Sequence, residues 1–413
     1  MSDEQTGTGS GRPSRRRLLR LAGGGVGLAL TGAGAVGCRG GESRDTTPGP
    51  GGAKPSGGGG TGTPADGQAP APLWTKTTSA RALGGDNALA VTGVVVIALG
   101  EPLAGRGVAD GGERWSIDDG AVPGAPLLLG GGTLYLASGQ FDGSVVGLDP
   151  ATGKETWRAR LGKEYQQPRP IAVDDTQLYV VAEILQDGAG TRKNVIAALS
   201  TTSGQVVWKE QRDLGTEENG ITAAVQGDFL VYTDFRKNLT VRDTATGKQV
   251  WTRKITQSSF RRFAVDQDLV ILAQGRTLQA FELAGGDRRW SVETEEFAAF
   301  KAPSVLDGVL YVADSVETLW ALEPATGKTI WQAKDMAEAQ AQSPWQFAKA
   351  GDTLYGATDL DEGGGIHAFD ARTGARRWTF NDRSGDLEEW HVAASGKHVI
   401  ALHGKKLHAL PAL

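Results

Sequence analysis

Leu148-Asp149-Pro150-Ala151-Thr152-Gly153-Lys154-Glu155-Thr156-Trp157 decides the reading of this chain, because the stretch comes back. It returns as Val241-Arg242-Asp243-Thr244-Ala245-Thr246-Gly247-Lys248-Gln249-Val250-Trp251 and as Ala321-Leu322-Glu323-Pro324-Ala325-Thr326-Gly327-Lys328-Thr329-Ile330-Trp331. A fourth copy is Ala368-Phe369-Asp370-Ala371-Arg372-Thr373-Gly374-Ala375-Arg376-Arg377-Trp378. Weaker copies end at Trp208 and Trp290, and a poorer one at Trp115. With Trp74 these make eight tryptophans spaced 39 to 51 residues apart, the period of a repeat architecture whose units bury their faces against one another.

Turn chemistry explains the unit. The glycine four residues before the tryptophan (Gly111, Gly153, Gly204, Gly247, Gly286, Gly327, Gly374) suits a left-handed position that closes a type I turn with a bulge. Asp or Ser at the turn's start can accept a bond from its own backbone two residues on. The tryptophan then rides the outgoing strand. Alternating runs such as Gly308-Val309-Leu310-Tyr311-Val312-Ala313 supply another strand, and a short one precedes them. Four strands in about 43 residues make a propeller blade.

After Trp378 the sequence holds two more strand signals, through residues 393–401 and 406–410, and the repeat's turn and tryptophan strand do not follow them. Trp74 has no strands of its own ahead of it. Residues 72–78 are therefore expected to supply the outer strand of the blade begun by residues 390–410. That gives an all-β, eight-bladed ring of four-stranded antiparallel blades over residues 72–413, seven blades being the alternative if the repeat ending at Trp115 is not one. Closure removes exposed sheet edges, and the ring is expected to be a monomer.

Composition narrows the function classes. The formal charge is −5, and removing the first 37 residues, with five Arg against Asp3 and Glu4, takes it to −8. Phosphate neutralisation by Lys and Arg dominates nucleic-acid affinity, so a nucleic-acid partner is disfavoured. Ser14-Arg15-Arg16-Arg17-Leu18-Leu19-Arg20 followed by a Gly-broken apolar stretch to Val36 resembles a twin-arginine export signal carried by Arg15 and Arg16. It ends in Ala35-Val36-Gly37-Cys38, which resembles a lipobox, with Ala35 where Leu is usual. Residues 1–37 are thus expected to be a signal peptide and Cys38 the lipidated residue, anchoring the chain to the outer face of the cytoplasmic membrane. Residues 38–71, rich in Gly, Pro, Ser and Thr, read as a linker of roughly 30–35 Å root-mean-square span.

The pattern Ala-x-Asp-x-x-Thr-Gly-x-x-x-Trp is similar to the tryptophan-docking repeat of the pyrroloquinoline-quinone dehydrogenases and their non-enzymatic relatives, among them the propeller lipoprotein of the outer-membrane β-barrel assembly machine. The resemblance implies that each indole stacks between neighbouring blades, and it spans residues 72–413. It implies for the enzymatic branch a quinone held between a tryptophan floor and a disulfide of adjacent cysteines, beside calcium. Cys38 is the sole cysteine, so that disulfide cannot form. The non-enzymatic branch is expected, without cofactor, metal or catalytic residues.

Other candidate chemistry is sparse. Of five histidines, His391, His398, His403 and His408 fall in the last 23 residues. His367 and His408 share the repeat phase of Gln279 and Trp320, so they read as strand residues and not as ligands. Asp359-Leu360-Asp361-Glu362-Gly363-Gly364-Gly365 reads as a solvated acidic turn in preference to a calcium loop. Nothing resembles a nucleophile elbow. The expected function is an envelope-anchored scaffold for protein partners not identifiable from sequence. An extracytoplasmic ligand-sensing propeller is the alternative, and a quinoprotein dehydrogenase a more distant one.

Overall fold

A computed structural model describes residues 67–79, 88–163, 165–184, 193–212, 221–234, 237–255, 263–359 and 363–413. They form eight four-stranded antiparallel blades. Blades 1 to 7 occupy residues 89–117, 128–160, 165–212, 222–254, 263–293, 304–333 and 346–380. Blade 8 combines Trp390–Ser395, His398–His403 and Lys406–Pro411 with Trp74–Thr77 as its outer strand. Trp74 lies opposite Ala409 and Thr77 opposite Lys406, so the closure anticipated from the interrupted repeat is present, and it makes eight blades. Trp390–Ser395 packs against both Gln346–Ala350 and Leu89–Val91, joining blade 8 to its neighbours on either side.

Chain contact with the ring begins ahead of residue 72, where the linker was expected to stop. Gly67 and Gln68 run parallel to the outer strand of blade 7, opposite Trp378 and Thr379. A two-residue backbone pairing leaves no side-chain pattern for sequence reading to find.

The burial pattern follows the layering. Middle strands such as Ser144–Leu148 and Thr353–Ala357 are buried along their whole length because a blade packs on both sides of them. Outer strands such as Glu155–Arg160 and Arg288–Glu293 alternate, with every second residue exposed. The strand-two tyrosines pack on the tryptophan of their own blade: Tyr135 on Trp157, Tyr179 on Trp208, Tyr311 on Trp331 and Tyr355 on Trp378, at centroid distances of 5.8 to 6.1 Å. Such tilted aromatic pairs add to the few kcal/mol that burying each ring contributes. One helical turn, Asp335–Glu338, lies between blades 6 and 7. No helix among the described residues is long and apolar enough to cross a membrane.

Candidate functional site

The repeat side chains meet at the joints between blades. Seven indoles each donate Nε1–H to a carbonyl in the outer turn of the next blade. These are Trp74 to Val108, Trp115 to Pro150, Trp157 to Thr201, Trp208 to Thr244, Trp251 to Leu283, Trp290 to Pro324 and Trp331 to Ala371, at 2.7 to 3.2 Å. The turn glycine lies flat on the same indole. At Gly153 (φ +70°) a Cβ would stand 2.6 Å from Trp115, and at Gly247 (φ +73°) 2.4 Å from Trp208. Gly204, Gly286, Gly327 and Gly374 meet Trp157, Trp251, Trp290 and Trp331 in the same way. Each glycine thus serves the tryptophan one repeat earlier, not the one four residues ahead of it. The motif alanine sits opposite its own tryptophan, as in Ala321 with Trp331 and Ala368 with Trp378, where a larger side chain would displace the ring. Turn carboxylates accept as expected: Asp149 from the Ala151 amide and Asp370 from the Arg372 amide.

The eighth tryptophan differs. Trp378 is buried, and its Nε1 has no hydrogen-bond partner among the described residues. The blade it faces is blade 8, whose outer strand comes from residues 74–77 and so has no turn to offer.

Cys38, Arg15 and Arg16 lie outside the described residues, as do Asp361 and Glu362. The structure brings two of the five histidines together, on a carboxylate that sequence reading missed. Asp382, between blades 7 and 8, places Oδ1 3.2 Å from His403 Nδ1 and Oδ2 3.5 Å from His408 Nε2. His403 stacks on Trp390 at 4.1 Å, and His408 meets Phe380 edge-on at 5.1 Å. Burial pushes the Asp382 carboxyl up, but hydrogen bonds from Ser384 and the charge of His403 hold it below its ordinary value. Burial lowers His408 against the opposing pull of Asp382. Ser384 Oγ also lies 3.4 Å from His403, at the same Nδ1 that meets Asp382. A nucleophile relay needs serine and carboxylate on different ring nitrogens, so this trio has the residue types of a triad without its geometry. His367 is separate: its Nδ1 meets Thr379 Oγ1 at 2.7 Å, and burial lowers it to about 3. His391 packs edge-on to Trp345. Among the described residues no three His, Cys, Asp or Glu side chains are grouped to hold a metal ion. Asp382 carries no signal in the repeat, since its role depends on the path of a connecting loop past another blade.

Turns after the second strands and the connections between blades share one face of the ring, opposite the docking turns. On that face a cleft of about 360 Å³ opens between blades 2 and 3, lined by Ser138, Phe141, Asp142, Lys163, Tyr165 and Pro168 among others. Asp142 Oδ2 accepts from Arg158 at 3.1 Å and from Arg160 at 2.9 Å. Burial would raise its carboxyl, but Arg160, Ser144 and Arg158 together hold it far below the usual carboxylate range.

Comparison with known proteins assigns the fold to a lineage. The family model described as "Outer membrane protein assembly factor BamB" matches residues 63–183, 103–261, 192–332 and 261–389. Outer membrane protein assembly factor BamB of Francisella salina is 29% identical over 89 residues, 21% of this chain and 17% of that protein. Tetrathionate hydrolase of Acidithiobacillus ferrooxidans is 24% identical over 226 residues, 48% of this chain and 43% of that protein. The chain therefore spans less than half the length of these curated relatives. The crystal structure of BamB from Moraxella catarrhalis superposes with a TM-score of 0.54 at 14% identity, covering 83% of this chain and 99% of that one. At that identity the likeness speaks for the fold alone.

Proposed function

We propose, for a chain that belongs to the family of Outer membrane protein assembly factor BamB, the role of an envelope-anchored, non-catalytic scaffold for protein partners. The observation that carries this reading is where the repeat chemistry goes. Tryptophan, glycine and turn carboxylate are consumed in fastening one blade to the next, which yields a rigid ring with a rim of loops. Rigid scaffolds that present loops are well suited to binding, because little order must be imposed when a partner docks.

The repeat's resemblance to quinoprotein dehydrogenases raises a cofactor question as well. The quinone site of the enzymatic relatives requires a second cysteine beside the first, and Cys38 stands alone. The residues present do not fit that site. Export through Arg15 and Arg16, lipidation of Cys38 and a tether leading to Gly67 would hold the ring outside the cytoplasmic membrane.

Photo-crosslinking in intact cells tests the scaffold. A crosslinking residue at Phe297, which is 93% exposed on the loop-bearing face, should trap discrete protein adducts. The same residue at Lys397, at the opposite end of blade 8, provides the contrast. Absence of adducts from several positions on the loop-bearing face, or a quinone-dependent dehydrogenase activity of the purified ring, would overturn the reading. Cys38→Ser should release the protein from the membrane fraction, and retention there would overturn the anchor.

A further inference from the structure

We infer that the cleft between blades 2 and 3 is a binding site for a carboxylate carried on an apolar group, an assignment that goes beyond the scaffold reading and does not depend on it. The cleft's volume of about 360 Å³ falls within the range of small-ligand sites, and its lining has the usual mixture of apolar wall and a few converging polar groups. Val122, Ala137, Phe141, Tyr165 and Pro168 supply the apolar wall.

The charges on the wall decide what it would take. Asp142 is saturated: Oδ1 accepts from the Ser144 amide at 3.0 Å, and Oδ2 from Ser144 Oγ, Arg158 and Arg160 at 2.8 to 3.1 Å. A carboxylate held by two guanidinium groups has no attraction left for an incoming cation. Lys163 also lines the cleft, is exposed, and has no ion-pair partner among the described residues. Lys209 adds a second ammonium behind the wall, 4.6 Å from the centroid of the Tyr165 ring. Among the described residues the cleft's lining holds one ammonium, Lys163, and one carboxylate, Asp142, and the latter is already neutralised by Arg158 and Arg160.

The rim has the build of a site as well. Phe141 stands 70% exposed at φ 53°, a left-handed conformation that costs energy for an aromatic residue. Gly143 takes φ 76°, the left-handed region open to glycine, where the same loop passes the start of blade 3. The loop thus holds an exposed aromatic ring at the cleft, whose wall also carries the Lys163 ammonium.

A free small carboxylic acid and the last residue of a peptide present the same chemistry, and calorimetric titration of the purified protein can separate them. N-acetyl-phenylalanine should bind, and N-acetyl-phenylalanine amide should bind at least about tenfold more weakly, because a charge-assisted bond is lost. A hexapeptide ending in phenylalanine that binds about tenfold tighter than the single residue identifies a chain end as the source, whereas equal affinity identifies a small acid. Lys163→Gln should weaken the acid about tenfold and Lys163→Arg should retain it. Lys163 is exposed, so neither change threatens folding. Equal affinity for acid and amide, absence of binding at millimolar concentration, or an unchanged affinity in Lys163→Gln overturns the inference. None of these outcomes touches the crosslinking result, which reads protein adducts.

Discussion

Seven of the eight joints between blades are built alike, and the one between blades 7 and 8 is not. At a regular joint the indole is held by a carbonyl, a flat glycine and the bulged turn that carries both, as where Trp208 meets Thr244 and Gly247. At the exceptional joint Trp378 keeps its burial and its tyrosine but loses the carbonyl and the glycine. The outer hairpins of blades 1 to 7 all slip register beside the tryptophan, whereas Trp74–Thr77 pairs with blade 8 without a slip. What replaces the missing turn is backbone from both sides of the break. Gly67 and Gln68 line Trp378 on its outer edge, Ala69 and Ala412 pack against the same cluster, and the Leu413 amide donates to the Tyr355 hydroxyl at 2.9 Å. Interrupting a ring in the middle of a blade therefore relocates fastening from a side-chain lock to strand pairing.

The largest effect should come from removing that pairing. A chain starting at residue 80 lacks Trp74, its bond to Val108 and the edge of blade 8. It should lose cooperative thermal unfolding, measured by circular dichroism, and aggregate through the bared edge. A peptide of residues 67–79 added in trans should restore part of the transition. Undiminished cooperativity in the truncated chain would erase the distinction between the two kinds of joint.

A smaller effect separates the indole bond from indole burial. Trp208→Phe removes a buried hydrogen bond and leaves the Thr244 carbonyl unpaired, which should cost about 1–3 kcal/mol beyond the loss of ring area. Trp378→Phe removes an N–H that has no partner among the described residues, so its cost in denaturant titration should be lower by about that amount. Equal costs would mean that the indole bonds contribute nothing.

The smallest effect is the pH response of the exceptional joint. His408 is lowered by burial, so the fold favours its neutral form. Its contribution is whole above the unfolded histidine value of about 6.5 and is lost as pH falls from there. Asp382, held below its ordinary value, loses its contribution only at still lower pH, as it becomes protonated. His408 Nδ1 also meets Thr75 Oγ1 of the closing strand at 3.0 Å. Acid should therefore loosen this joint first, seen as faster amide exchange over residues 74–77 than over 155–160. His408→Gln should narrow that difference.

The parts of this fold legible in the sequence are those written once per repeat. Gly153 and Trp157 announce turn and strand because left-handed backbone and a large ring recur in phase, and the incomplete last repeat together with a solitary Trp74 implies closure. The partners across joints were less legible. Gly153 docks on Trp115, one repeat back, and only the spatial order of blades reveals that. Features written once escaped altogether: the Gly67 pairing, the Asp382 carboxylate and the cleft around Lys163 depend on how a single loop crosses to its neighbour. A repeat encodes its scaffold many times over, while each surface site is spelled only once.

The central claim is that residues 74–77 form the outer strand of the last blade. In a Cys38→Ser background, Thr77→Cys with Lys406→Cys places two thiols at directly opposed positions of antiparallel strands, within reach of a disulfide. The account predicts that oxidation closes this bond within one molecule and raises the unfolding temperature, reversibly on reduction. Thiols that stay free under oxidant, or that pair only between molecules, would contradict it.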